Sequence, residues 1–281
     1  MTPLDDSTPN AAQATYWTET VGPAWVAMQD GLDAQLRALG EAAMDVLAPR
    51  EGERLLDVGC GCGDTTLALA RRVGPGGGVT GTDISAPMLG VAKARAEAAG
   101  LGWARFALAD AQVADFEPAD GAYSRFGVMF FADPAAALAN IRRALAPGGR
   151  LAFVCWRALA QNPWMSEPGA AVTSLLPAPA PPADPFAPGP FAFADRDRLH
   201  GFLKTAGFTD IAIEPHDAPI RWPDLDTAVR LALRVGPAGS AAREHPDLRD
   251  AIRAAVRKAL APHVDGTGVG LPAATWIVRA S

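Results

Sequence analysis

From Arg54 to Trp156 short β-like runs alternate with helix-like segments, and this alternation restricts the chain to an α/β design. The spacing predicts strands at Arg54–Val58, Gly78–Asp83, Ala104–Ala109, Gly121–Phe126 and Arg150–Trp156. A helix is expected over Asp64–Arg72, and a second from an N-cap at Ser85 through Ala99, stopped by Gly100. Asp133-Pro134 offers a cap and first-turn proline for another, which ends at the turn Pro147-Gly148-Gly149. Five strands with four helices between them in about 100 residues imply right-handed crossovers, a parallel sheet, and a ligand crevice at the carboxyl ends of the strands.

Beyond Trp156 the alternation breaks. Residues 176–190, LPAPAPPADPFAPGP, hold seven prolines and read as a stiff connector. Asp195 then caps a helix carrying Leu199, Phe202, Leu203 and Ala206, closed by Gly207 and followed by a strand at Phe208–Ile213. Helices are expected over Leu225–Val235 and Pro246–Leu260, and a last strand over Ala274–Arg279. The expected organisation is therefore an N-terminal helical cap (1–50), a core (51–156), a proline-rich lid insertion (157–194), and the end of the core sheet (195–281) interrupted by a helical insertion (217–270). The stripe Arg249, Arg253, Arg257 reads as a solvated helix face.

With 281 residues, 49% of them hydrophobic, the chain can bury a substantial core. Its net charge of -6 argues against a nucleic-acid partner held through phosphates. Three cysteines, two of them crowded at Cys60 and Cys62, offer neither a disulfide framework nor a zinc pattern, so no metal is expected and a reducing cytoplasm fits. No leader pattern and no run of eighteen apolar residues occurs, so neither export nor a membrane partner is expected.

The chemistry concentrates after the first strand, in LLDVGCGCGDTTLALA. A glycine-rich turn between strand and helix lets backbone approach a ligand and aims unpaired helix N–H groups at it. Gly59, Gly61 and Gly63 take the first, third and fifth positions of the turn, whereas a dinucleotide fingerprint needs glycine at the sixth, where Asp64 stands. Asp57 is negative and precedes the loop. Unit charges about 4 Å apart at an effective dielectric of about 20 interact by about 4 kcal/mol, so this carboxylate disfavours pyrophosphate and favours an ammonium. A second role for Asp57, capping its own loop, is compatible with the first. Asp83 ends the second strand, where a carboxylate can accept both hydroxyls of a ribose. Asp110, followed by Ala111, can reach an adenine amino group or cap a loop. An ammonium, a ribose and an adenine across three adjacent strand ends describe S-adenosylmethionine.

LLDVGCGCGDTTLALA, VTGTDIS, FALADAQ, YSRFGVMFF and RALAPGGRLAFVCW resemble, in order and spacing, the successive motifs of class I S-adenosylmethionine-dependent methyltransferases. YWTETVGPAWVAMQDGLD and CWRALAQNPW are similar to the bacterial small-molecule branch related to quinone and natural-product methyltransferases. The resemblance implies a Rossmann-like sheet of order 3-2-1-4-5-7-6 with strand seven antiparallel. It also implies that Asp57 and the Gly59–Gly63 loop hold the methionine part, Asp83 the ribose, Ile84 and Met88 an adenine face, and Asp110 with Ala111 the adenine edge. Cys60 and Cys62 stand where small residues are common, and size explains them better than thiol chemistry. Arg125, next to the fourth strand's end, is counted among the cofactor-binding residues and is expected either to receive an anionic group on the acceptor or to pair with a local carboxylate. Trp17, Trp25, Phe130, Trp156 and Trp164 are candidate walls for a flat or apolar acceptor, with core packing as the alternative for each. His216 is the candidate general base. A nicotinamide oxidoreductase is opposed by Asp57 and the missing glycine, and a protein that binds the sulfonium cofactor without transferring methyl is the remaining alternative.

Overall fold

The computed structural model describes residues 8–177 and 187–281, so the middle of the expected proline-rich connector lies outside the described residues. The N-terminal segment forms α1 (Ala11–Thr15), a π-type turn at Tyr16–Thr20 and the long α2 (Gly22–Leu47). The alternating stretch follows as β1 (Arg54–Val58), α3 (Asp64–Val73), β2 (Gly78–Asp83), α4 (Ala86–Ala98), β3 (Ala104–Leu108), β4 (Ala119–Arg125), α5 (Pro134–Ala144) and β5 (Leu145–Trp156). Then come α6 (Pro163–Val172), α7 (Arg196–Thr205), β6 (Ala212–Trp222), α8 (Leu225–Ala232), α9 (Gly236–Glu244), α10 (Arg249–Leu260), β7 (Val264–Asp265) and β8 (Gly268–Ala280).

The strands stand in the order β3-β2-β1-β4-β5-β8-β6, with the short β7 paired to β8 alone. The first five are parallel, as their crossovers require. β8 runs antiparallel to β5, from Leu151 opposite Ala280 to Trp156 opposite Thr275. This is the expected Rossmann-like order; β7 only advances the number of the antiparallel strand by one. β1 is buried from Leu55 to Val58, which suits a central strand covered on both faces. Two compact units divide the chain: Met1–Trp156, Phe186–His216 and Thr275–Ser281 form the first, Arg157–Pro185 and Asp217–Ala274 the second.

Several expected boundaries move. Three helices, not four, lie between the five parallel strands, because β3 passes to β4 through turns alone. β5 begins at Leu145, before the expected turn, and absorbs Pro147-Gly148-Gly149 as an irregularity in its register with β4. The strand expected at Phe208–Ile213 is found at Ala212–Trp222, because Gly207 and Asp210 both take positive φ (86° and 44°) and turn the chain first. Pro215 and Pro219 disguised this strand in the sequence, and the sheet tolerates them because β6 lies at its edge. α9 was not expected at all; its buried Ala238, Gly239 and Ala241 are small residues with no conspicuous apolar periodicity. β8 starts at Gly268, inside the expected helical insertion, masked by Gly268, Gly270 and Pro272.

Candidate active site

The loop after β1 depends on its glycines. Gly59, Gly61 and Gly63 adopt φ of 70°, 54° and 85°. A Cβ on Gly59 would lie 2.7 Å from the Cα of Gly127, and one on Gly63 would lie 2.8 Å from the Cβ of Ala92. Gly61 is tight in the same way against Met88, whose Cε would lie 2.9 Å from an added Cβ. The loop is thus a thin layer of backbone between β1 and the start of α3, closely backed by the chain after β4 and by α4. Cys60 and Cys62 are buried beneath it. Burial, aided by Asp83 at Cys60 and by Asp33 at Cys62, raises both thiols, Cys62 to about 12, so both stay protonated and act as small packing groups.

Asp57 is fully buried at the end of β1. Its Oδ2 accepts the hydroxyls of Thr65 (2.7 Å) and Thr66 (2.6 Å), on the first turn of α3, and its Oδ1 has no partner. The carboxylate therefore does cap its own loop, and it keeps one unsatisfied oxygen. Burial pushes its pKa up to about 6, against the opposing pull of the two threonine hydroxyls. Asp83 accepts the Gly61 N–H at Oδ2 (2.8 Å) and the Ser85 N–H at Oδ1 (2.9 Å), so it ties the glycine loop to the end of β2. Burial raises its pKa too, opposed by those backbone donors. Each oxygen takes one loop N–H and retains acceptor capacity for a diol.

Ser85 occupies the cap position of α4, but its side chain makes no cap bond; its Oγ donates to the carbonyl of Trp17 at 3.0 Å. Ile84 is half-buried and Met88 buried. Asp110, 3% exposed, is engaged by Asn10: the Asn10 side-chain amide donates to both carboxylate oxygens (2.9 and 3.0 Å) and its backbone N–H to Oδ2 (3.3 Å), while the N–H of Gln112 donates to Oδ1 (2.9 Å). Ala111, also buried, follows. Asn10 escaped the sequence reading because its partner is 100 residues away and nothing local marks it.

The Arg125 guanidinium is engaged by local carboxylates. It pairs with Asp33 and Asp64, each at 2.9 Å, and Arg95 bridges the same two carboxylates at 3.0 and 3.5 Å. Of the two alternatives weighed for it, the local carboxylate prevails. Gly40 on α2 gives Arg125 room, since a Cβ there would lie 2.7 Å from the arginine Cδ. Burial raises the pKa of Asp33, and Arg125 and Arg95 hold it down in part.

Trp17, Trp25 and Phe130 come together. The Trp17 ring meets Trp25 at 5.6 Å and Phe130 at 5.1 Å, both edge to face, and Tyr16 at 5.8 Å. All three are half-exposed. Trp156 is buried and stacked on Phe126 at 4.1 Å. Trp164 belongs to the second unit, where its Nε1 donates to Asn162 Oδ1 at 3.2 Å. His216 lies within β6, four strand steps from β1, which at about 4.8 Å per step is about 19 Å away. Its backbone carbonyl accepts the Thr275 hydroxyl at 2.6 Å. Among the described residues no cluster of His, Cys, Asp and Glu could hold a metal ion, and no helix is long and apolar enough to cross a membrane.

The residues around the loop fit S-adenosylmethionine: a buried carboxylate with an unmatched oxygen suits a cationic group, and a cradle of positive-φ glycines leaves room that a Cβ would fill. Residues 55–149 match the family model described as "Methyltransferase domain". The chain is 30% identical to the nocamycin O-methyltransferase of Saccharothrix syringae over 241 residues, which is 82% of this chain and 85% of that protein. It is 43% identical to the demethylmenaquinone methyltransferase of Thermus thermophilus over 113 residues, 39% of this chain and half the length of that protein. The crystal structure of the YcgJ protein from Bacillus subtilis shares the fold, with a TM-score of 0.57 at 17% identity over 88% of this chain and 97% of that one. On this likeness across most of both chains, the protein belongs to the S-adenosylmethionine-dependent methyltransferases that act on small molecules.

Proposed function

We propose that this enzyme methylates an oxygen on a flat, largely apolar ring system. The observation that carries this reading is the half-exposed edge-to-face group of Trp17, Trp25 and Phe130 in the same compact unit as the glycine loop. Rigid aromatic side chains offer a flat molecule large contact area and lose little conformational entropy in doing so. The name of one relative, an O-methyltransferase, supports oxygen as the acceptor atom, and the name of another, acting on a demethylmenaquinone, supports a flat ring system.

When bound, S-adenosylmethionine supplies a methyl group already activated on a sulfonium. The work left to the chain is to bind, orient and exclude water, and orientation of two reactants can supply about 7 to 11 kcal/mol. Asp57 and the backbone of Gly59, Gly61 and Gly63 would hold the methionine part, Asp83 the ribose, Ile84 and Met88 one face of the adenine, and Asp110 with Ala111 its edge. Arg125 has no part in holding the cofactor directly; with Asp33 and Arg95 it fixes Asp64 at the start of α3 and so steadies the loop.

Label transfer from methyl-labelled cofactor across a panel of hydroxyquinones, aromatic polyketides and matched amines tests the reading. Label on oxygen in the planar members is the expected result. Trp17→Ala should raise KM for such an acceptor about tenfold while changing KM for the cofactor by less than about threefold. Preferential labelling of amines, or an unchanged acceptor KM, would overturn it.

A further inference from the structure

We infer that Asn10 is a positioning residue for the nucleoside of the cofactor, and that the N-terminal segment is a strap tied to both carboxylates that read it. The inference rests on the assignment of Asp83 to the ribose and Asp110 to the adenine edge made above.

Asp110 is buried, and a buried carboxylate is costly unless its lone pairs are met. Asn10 supplies three of the four hydrogen bonds it receives; the other comes from the N–H of Gln112. The same amide of Asn10 also donates to Gln112 Oε1 (3.1 Å), and its Oδ1 accepts the Ala132 N–H (2.7 Å). Gln112 Oε1 in turn accepts the Asp133 N–H (3.1 Å). One buried side chain therefore joins the ends of β3 and β4 and sets the rotation of the Asp110 carboxylate. A donor shared between two carboxylate oxygens is bent toward neither, so Asp110 keeps acceptor directions for a further amino group.

Seven residues on, the strap is tied again. The Trp17 carbonyl accepts the Ser85 hydroxyl, and the N–H of Ser85 donates to Asp83. Asp110 and Asp83 are thus each connected to the N-terminal segment, one directly and one through Ser85. At the second tie the strap carries the ring of Trp17, at the centre of the aromatic group. Adenine recognition and the acceptor wall are therefore joined through one short stretch of chain, and loosening Asn10 should be felt at both.

The test is binding rather than turnover. Calorimetric titration with S-adenosylhomocysteine and with S-inosylhomocysteine, which carries a 6-oxo group in place of the 6-amino group, measures how strongly the adenine edge is read. The intact protein should prefer the adenosine compound by about tenfold or more. Asn10→Ala should weaken S-adenosylhomocysteine about tenfold and leave S-inosylhomocysteine nearly unchanged, which a general loss of structure would not do. In an Asp110→Asn background the same substitution should add less than about twofold, because Asn10 acts through Asp110. Equal affinity of the intact protein for the two compounds would remove the adenine reading of Asp110 itself. A preference that survives Asn10→Ala, or equal weakening of both compounds, would leave that reading standing and remove the role of Asn10.

Discussion

At the scale of single residues, Asp57 carries a pH signature. Its carboxyl moves from an ordinary 3.8 to about 6 in the folded protein, through burial. Between those values the folded chain holds the proton more tightly than the unfolded one, so stability falls as pH rises through that window, by about 3 kcal/mol over its whole width. A cationic ligand favours the ionised form and reverses the preference. Affinity for S-adenosylmethionine should therefore rise about tenfold from pH 5 to pH 7, as the ionised fraction grows. Asp57→Asn should bind more weakly at pH 7 and lose this dependence; titration at the two pH values checks both. Asp57, Asp83 and the three glycines were legible because their spacing along a strand and a turn is local. Thr65 and Thr66 stood in view eight and nine residues after Asp57, as hydroxyls on the first turn of a helix, but nothing local assigned them to it. Asn10 and Asp33 were not legible, since each finds its partners at 62 to 122 residues' distance.

At the scale of elements, α2, α3, α4 and β4 are joined by a part-buried network of Asp33, Asp64, Arg95 and Arg125. The Asp33 and Arg125 side chains are only 6% and 12% exposed, so removing one leaves the others charged and poorly solvated. Asp33→Ala should cost about 3 kcal/mol, read as a lower urea midpoint, and added salt should restore little of it because the Asp33–Arg125 pair is largely shielded from solvent. The sequence made the five parallel strands readable, since each is a short apolar run bounded by turn residues. It misplaced β6 and hid α9 and the first half of β8, where proline and glycine stand inside regular structure. Each is excused by position: β6 lies at an edge, and α9 uses small residues to pack.

At the scale of the whole molecule, neither compact unit is a continuous piece of chain. The first is assembled from three segments and the second from two. β8 lies between β5 and β6, and its residues Thr275–Ala280 pair with Leu151–Trp156. A chain cut after Ala274 loses an interior strand, exposing the backbone and apolar side chain of Phe153 and Val154, which are fully buried in the intact protein. Such a truncation should fail to give a cooperative thermal transition and should bind 1-anilinonaphthalene-8-sulfonate, whereas the intact protein should unfold cooperatively and leave the dye unbound. The alternation in the sequence announced the sheet, but not that a stretch so far along the chain would lie within it, because pairing across such separations is set by tertiary packing.

The interior place of β8 also bears on how the protein is made. A ribosome delivers the glycine loop and its carboxylates early, yet the sheet behind them lacks an inner member until Thr275–Ser281 has emerged. From the emergence of Trp156 until that of Thr275–Ala280 the nascent chain must hold an open, sticky edge, which makes it a natural client for chaperones.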